Sequence, residues 1–419
     1  MKEKLFSWLD KSANLAVELE TELTKRPAIS PESGGQGELD KCLFLENWLK
    51  SRGITQIERF DAPDTRAKGN VRPNLIATIE GDKSAHGNME KGRLWIMSHT
   101  DVVPPGEEKL WNSDPWTVVR KDDALGPRLI GRGVEDNQQG LVSSVLAALA
   151  FTEQGLKPAR TIKLLFAADE EVGSAYGIKW LVNNHGGLFM KNDMVLVPDG
   201  GDAKGENIEI AEKNILWVKF TTNGKQAHGS RPDMGANAFL ASCELALRLH
   251  NDLSSRFSKR DPMFNPDYST FTPTKKEANV PNVNTIPGED VFYMDMRVLP
   301  CYTPESVLAE IDAIKAEVEK KHHVKIEYSV PQMMKSVPTD RNAPIVKILS
   351  KAIMEVYGVH SRPVGIGGGT MAAYLRNTGI DCAVWTKTAG SLHQPDEFAL
   401  LENIIGDAKV MALLAIDSV

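Results

Sequence analysis

The stretch Leu94-Trp95-Ile96-Met97-Ser98-His99-Thr100-Asp101-Val102-Val103-Pro104 fixes the starting point for the fold. Its first four residues are apolar, and such a run, closed by polar residues and a proline, predicts a buried strand. Side chains on a strand alternate between its faces, so His99 and Asp101 point the same way. At the end of a buried strand they set an imidazole and a carboxylate side by side at a rim. One use of that pair is metal ligation, with the carboxylate either orienting the imidazole or bridging to it. A His-x-Asp taken alone is more often a polar strand end, and the rest of the chain decides between the two.

Outward from this stretch, helices and strands alternate. Residues 3–25 and Glu38–Lys50 read as helices, the second ended by Gly53, with a Gly/Ser/Pro-rich loop from Arg26 to Gly37 between them. Asn74–Ile79 reads as a strand. Downstream, the polar stretch from Asp114 to Gly133 predicts a hairpin and Leu141–Phe151 a helix. Thr161–Ala168 predicts a buried strand, Tyr176–Asn184 a helix, and Met194–Val197 a strand ending at Pro198-Asp199-Gly200-Gly201. The alternation predicts an α/β fold, a mostly parallel sheet with helices on both faces. Such sheets place their sites beyond the carboxyl ends of strands. His99, Asp101, Asp136, Asp169-Glu170-Glu171 and Asp199 all fall there.

After about residue 211 the pattern changes. Leu216–Thr222 and Val291–Leu299 alternate as strands exposed on one face, Asn237–Leu253 and Pro304–Lys321 read as helices, and Val324–Val330 as a strand. This βαβαβ-like block predicts a smaller α+β domain, residues 212–334, inserted into a catalytic domain made of 1–211 and 335–419. The last part, with helices at Ala343–Tyr357 and Thr370–Asn377, a strand at Asp381–Trp385 and a final helix, rejoins the first sheet. It carries His393 in a polar loop.

A chain of 419 residues suits two domains. Its hydrophobic content of 42% and charged content of 25% are those of an ordinary globular protein. A net charge of −7 argues against nucleic acid or an anionic membrane as the main partner. Cys42, Cys243, Cys301 and Cys382 form no C-x-x-C and read as free thiols in a reducing compartment. The N-terminal residues read as an amphipathic helix, not a signal peptide, and no run approaches the roughly 20 apolar residues that span a bilayer. A cytoplasmic protein is expected. His86, His185, His250, His322, His323 and His360 read as surface or helix residues.

Two histidines and several carboxylates with no thiolate suit zinc, cobalt or manganese in a catalytic site. A two-metal site needs a bridging carboxylate and activates a shared water. Of the adjacent Glu170 and Glu171, one can bind metal while the other takes the water proton. An Asp-Glu-Glu run alone is usually a solvated surface, and Asp-Gly a turn. Their conjunction at strand ends is what carries weight.

Ser98-His99-Thr100-Asp101-Val102-Val103-Pro104, Gly131-Arg132-Gly133-Val134-Glu135-Asp136, Asp169-Glu170-Glu171-Val172-Gly173-Ser174, Asp199 and His393-Gln394-Pro395-Asp396-Glu397 together resemble the two-zinc amidohydrolases. That family includes acetylornithine deacetylase, succinyl-diaminopimelate desuccinylase, glutamate carboxypeptidase and carnosinase-type dipeptidases. The resemblance covers nearly the whole chain, with the motifs in the family's order. It implies two divalent ions per subunit, with zinc expected and cobalt or manganese as alternatives. His99, Asp136 and Asp199 would hold one side of the pair, Asp136 would bridge, and Glu171 and His393 would complete the other. Asp101 would orient His99, Glu170 would be the general base, and the Asp136-Asn137 peptide would be cis. Gly224-Lys225-Gln226-Ala227-His228-Gly229-Ser230-Arg231-Pro232 and Gly235-Ala236-Asn237-Ala238 resemble the family's lid and dimerisation domain. They imply a homodimer in which His228 reaches the neighbouring subunit's active site, while Asn284 and Arg297 hold substrate.

One departure stands out. Many relatives follow the bridging aspartate with x-Lys-Gly, whereas this chain has Asp136-Asn137-Gln138-Gln139-Gly140. That leaves subfamily and substrate open. Gly365-Ile366-Gly367-Gly368-Gly369-Thr370 fits neither a dinucleotide fingerprint nor a phosphate loop. Its alternatives are a plain tight turn and a turn whose backbone N–H groups, at Gly368, Gly369 and Thr370, meet a substrate carboxylate or amide. The expected function is metal-dependent hydrolysis of an amide in a small N-acyl amino acid or short peptide, as deacylase or as di- or aminopeptidase. A non-catalytic metal- or peptide-binding homologue is the rival class, against which Glu170 speaks. A dehydrogenase is a distant third.

Overall fold

A computed structural model describes residues 1–82 and 92–416; His86 lies outside them. The chain divides into two compact units. One comprises Met1–Ile210, Thr339–Val364 and Thr370–Val419, the other Ala211–Pro338 with Gly365–Gly369.

The first unit opens with α1 (Lys2–Leu9) and α2 (Ala13–Thr24). The single helix expected over 3–25 breaks at Asp10-Lys11-Ser12, where the Ser12 hydroxyl donates to the Leu9 carbonyl at 2.7 Å and competes with the helical pattern. Next come α3 (Leu39–Ser51), β1 (Ile57–Pro63), β2 (Val71–Ile79), β3 (Leu94–His99) and the hairpin β4 (Val119–Asp123) and β5 (Gly126–Ile130). They are followed by α4 (Gly140–Glu153), β6 (Ile162–Ala167), α5 (Ile178–Asn184), β7 (Met194–Asp202) and β8 (Asn207–Glu212).

The second unit contains β9 (Asn214–Asn223), β10 (Ala227–His228), α6 (Ala238–Arg256), β11 (Thr270–Lys276), β12 (Thr285–Ile286), β13 (Glu289–Val298), α7 (Pro304–His322) and β14 (Lys325–Met334). Its four-stranded sheet has the order β11-β13-β9-β14 with every neighbouring pair antiparallel. Leu216, Val218 and Phe220 of β9 pack with Leu245 and Leu249 of α6 and Ile311 and Val318 of α7. The intervening side chains Trp217, Lys219 and Thr221 stay at least partly exposed, which is why β9 alternates in sequence. Asn237 caps α6 by accepting from the Leu240 N–H at 3.0 Å, and Thr303 caps α7 with Pro304 following.

The chain returns with α8 (Pro344–Tyr357), β15 (Arg362–Ile366), α9 (Ala372–Arg376), β16 (Cys382–Lys387), β17 (Phe398–Leu400) and α10 (Leu401–Leu414). The main sheet has the order β1-β2-β6-β3-β7-β16-β8-β15. At its centre β6, β3, β7 and β16 run parallel, and β1, β2 and β8 pair antiparallel with their neighbours. On one face Trp95, Met97, Leu165, Val195 and Val197 meet α5 and α9. On the other lie α4, α8 and α10. α4 is buried from Gly140 to Phe151, so its sequence is apolar all round and not striped.

Residues 365–369, expected in the first domain, belong to the second unit. The Gly365 N–H donates to the Met263 carbonyl at 2.8 Å and the Lys213 N–H to the Ile366 carbonyl at 2.9 Å. A Cβ at Gly365 would stand 2.4 Å from the Phe264 ring, so glycine is required by the close approach. None of the four cysteines is in a disulfide. Among the described residues no helix is long and apolar enough to cross a membrane.

Candidate metal centre

β3 runs parallel between β6 and β7, so His99 at its end arrives beside the ends of both. The His99 Nδ1 lies 2.9 Å from the Asp101 carbonyl oxygen, which can only accept. Nδ1 therefore carries a proton, and Nε2 is the nitrogen that would give its electron pair to a cation. That Nε2 lies 3.0 Å from Asp136 Oδ1 and 3.5 Å from Asp199 Oδ1. On the other side, His393 Nε2 lies 3.0 Å from Asp136 Oδ2 and 3.2 Å from Glu171 Oε2. Two groups of potential ligand atoms result, His99-Asp136-Asp199 and Asp136-Glu171-His393, sharing Asp136, with the atoms of each within 4.8 Å of one another.

The electrostatics fit cations there. Burial, then the neighbouring Asp199, pushes the Glu170 carboxyl well above its usual range. Burial likewise raises Glu171 and Asp199. Burial alone would lower the His99 pKa, but Asp199 and contacts with Asp101 and Asp136 hold it well above normal. His393 is raised to about 10 by its hydrogen bonds to Asp136 and Glu171. Protons on the imidazoles thus stand where cations would neutralise the same carboxylates. Glu171 Oε1 is buried with no hydrogen-bond partner, as suits a ligand oxygen.

Asp101 holds the neighbouring turn. Its two carboxylate oxygens accept from the Glu170 and Glu171 N–H groups, each at 3.0 Å. Asp169 enters that turn at φ 66°, a conformation Asp tolerates. Fully buried Arg72 donates to Glu38 at 2.6 Å and lies 3.1 Å from Asp169, fixing the turn from behind. The Asp136-Asn137 peptide is cis. The Asn137 amide donates to Asp199 Oδ1 at 2.9 Å and to the Pro198 carbonyl at 2.6 Å, tying the segment that carries Asp136 to β7.

Arg132, Glu135, Glu397, Arg72 and Glu38 had no role from the sequence alone. Arg132, Glu135 and Glu397 stand in the quoted motifs, but their partners lie more than 250 residues away along the chain. Gln138 and Gln139, the departing pair, are buried. Gln138 donates to Thr24 at 2.9 Å, and Gln139 to Thr386 and Asp407, each at 3.0 Å.

His228, Asn284, Arg297, Gly368 and Gly369 lie in the second unit, and Thr370 in the first. His228 pairs with Thr285 across β10 and β12, and the Gly229 N–H donates to the Asn284 carbonyl at 2.7 Å. The Ser230 N–H donates to His228 Nδ1 at 3.2 Å, which places the ring proton on Nε2. Arg297 is braced by Asp295 through two hydrogen bonds, at 2.6 and 2.9 Å, and donates to the Gly367 carbonyl at 3.0 Å.

Fold and ligand set together define a metallohydrolase. Residues 95–417 match the profile of Peptidase family M20/M25/M40, and the chain belongs to that family. An uncharacterized metallohydrolase of Methanococcus maripaludis is 38% identical over 412 residues, 94% of this chain and 97% of that protein. The succinyl-diaminopimelate desuccinylase of Rhodospirillum centenum is 26% identical over 93% of each chain. Among solved structures, the di-peptidase Dug1p of Saccharomyces cerevisiae superposes with a TM-score of 0.74 at 17% identity, covering 99% of this chain and 97% of its own. Aminopeptidase PepT of Bacillus cereus gives 0.75 at 19%, covering 96% and 98%. These two similarities establish the fold. The protein is a hydrolytic enzyme acting on amides or peptides.

Proposed function

We propose that the enzyme hydrolyses the amide bond of a small N-acyl amino acid or short peptide, using two divalent ions, zinc in the first instance, and Glu170 as base. The observation that carries this reading is the pair of ligand groups joined by Asp136 with Glu170 beside them. Bound in those groups, the ions would supply a Lewis acid for the amide carbonyl and an acidified water. His99 and Asp199 would hold one ion, Glu171 and His393 the other, and Asp136 would serve both. Glu170 takes a proton from the attacking water and returns it to the leaving amine. A panel of N-acyl amino acids and dipeptides, assayed with zinc, cobalt or manganese, tests the reading and divides deacylase from di- or aminopeptidase. Both substrate types present an amide beside a carboxylate. Absence of turnover across the panel, with two ions shown to be bound, would remove the proposal.

Arg297 is assigned the substrate carboxylate. Asp295 holds its guanidinium flat, leaving donors for a second carboxylate. Arg297→Lys is expected to raise KM for a substrate with a free carboxylate more than for its amide. Equal changes in the two KM values would free Arg297 from that role.

His228, exposed with its proton on Nε2, is assigned to the developing oxyanion of the partner subunit in a homodimer formed through the second unit. Mixed dimers of His228→Ala and Glu170→Ala are then expected to regain partial activity, because one of their two sites keeps both groups intact. Confirmed heterodimers without activity would refute an arrangement across subunits.

A further inference from the structure

Two carboxylates beside the metal centre accept hydrogen bonds in a reciprocal pattern. Glu397, from the loop after His393, accepts at Oε1 from the Glu135 and Asp136 N–H groups, each at 2.9 Å. At Oε2 it accepts from the Gly133 N–H at 3.1 Å and from Arg132. Glu135, next to Asp136, answers from the other side. Its Oε1 accepts from the Gly390 N–H at 2.9 Å and from the Ala389 N–H, and its Oε2 accepts from the Ser391 N–H at 2.6 Å and the Ser391 hydroxyl at 2.5 Å. Both side chains are buried. Each segment's carboxylate thus saturates the backbone of the other.

The consequence differs for the two ligand groups. His99 and Asp199 stand on β3 and β7, inside the main sheet. His393 stands on a loop, is half exposed, and sits at φ 61°. The backbone two to four residues before it is fixed to the rest of the unit through Glu135. We infer that Glu135 is a positioning residue for the Asp136-Glu171-His393 group, and that it sets the affinity of the second ion while leaving the first unchanged. This inference rests on the two-ion reading above.

Glu135→Gln tests it with little change of shape. All four contacts to Glu135 come from donors, so an amide NH2 must face N–H groups on one side and its loop loses acceptors. Equilibrium dialysis of zinc against the purified full chain is expected to give one ion at wild-type affinity. The other should be weakened by at least about tenfold, the range seen when an orienting partner of a ligand is removed. Ser391→Ala, which removes the hydroxyl's contact with Glu135 and its contacts with the Phe398 backbone but leaves the three N–H donors to Glu135 in place, is expected to weaken the same ion less, and it decides the matter if Glu135→Gln does not fold. Unchanged affinities, or parallel weakening of both ions, would overturn the inference while wild-type protein still binds two. A wild-type stoichiometry below two would overturn it together with the two-ion reading.

Discussion

Glu170→Gln is expected to lower kcat by about 10²–10⁴-fold, the usual range for loss of a general base, while both ions stay bound. Two features separate Glu170 from the ligands. It belongs to neither ligand group, although its neighbour Glu171 does. Its N–H is tied to Asp101 Oδ1 at 3.0 Å, so the backbone of the turn is held whatever the side chain becomes. Glutamine preserves the volume and can still accept one hydrogen bond, but it cannot take a proton from water. Binding should suffer less than turnover, because the proton moves only on the way to the transition state. Kinetics and metal content measured on the same preparation decide the point. If the variant loses an ion and the residual enzyme keeps its turnover per ion, Glu170 and Glu171 exchange roles.

The strands that deliver the ligands were legible because they are buried on both faces. Leu94-Trp95-Ile96-Met97 and Leu164-Leu165-Phe166-Ala167 are apolar runs, as a central parallel strand covered on both faces requires. Two edge strands escaped for the opposite reason. Among the described residues Ile57–Pro63 pairs only with β2, and Thr270–Lys276 only with β13, so their polar residues face water and no pattern marks them. At the site, His99, Asp136, Asp199, Glu171 and His393 are residue types that metals need at strand ends or in loops, and sequence could nominate them. It could not nominate Glu135 as a brace. A glutamate next to Asp136 has no visible partner in the sequence until the fold brings residues 389–391 to it. The same holds for Arg72, whose partners Glu38 and Asp169 lie far away in the chain and whose burial no local pattern reveals. Asp101 illustrates a third case. Its position was readable, but its carboxylate grips the Glu170 and Glu171 N–H groups, and its carbonyl, a backbone atom, accepts from the His99 ring.

Asp136→Ala is expected to remove both ions and reduce hydrolysis to the uncatalysed background. Asp136 is shared by the two groups, with one oxygen 3.0 Å from His99 Nε2 and the other 3.0 Å from His393 Nε2. Its loss leaves His99 with Asp199 on one side and His393 with Glu171 on the other, two protein ligands each, where catalytic zinc sites normally have three. The two remaining pairs also lose the charge that draws the ions together. Single-sided variants provide the contrast. Asp199→Ala is expected to weaken the ion beside His99, and His393→Ala the ion beside Glu171, so each should retain one. Chelation of wild-type protein should abolish activity and added zinc restore it, whereas zinc should not rescue Asp136→Ala at concentrations that refill the wild type. Metal analysis after dialysis reads all of these outcomes. Two ions retained in Asp136→Ala would exclude Asp136 as the bridge, and full wild-type turnover in excess chelator, with the ions shown to be gone, would exclude metal-dependent hydrolysis itself.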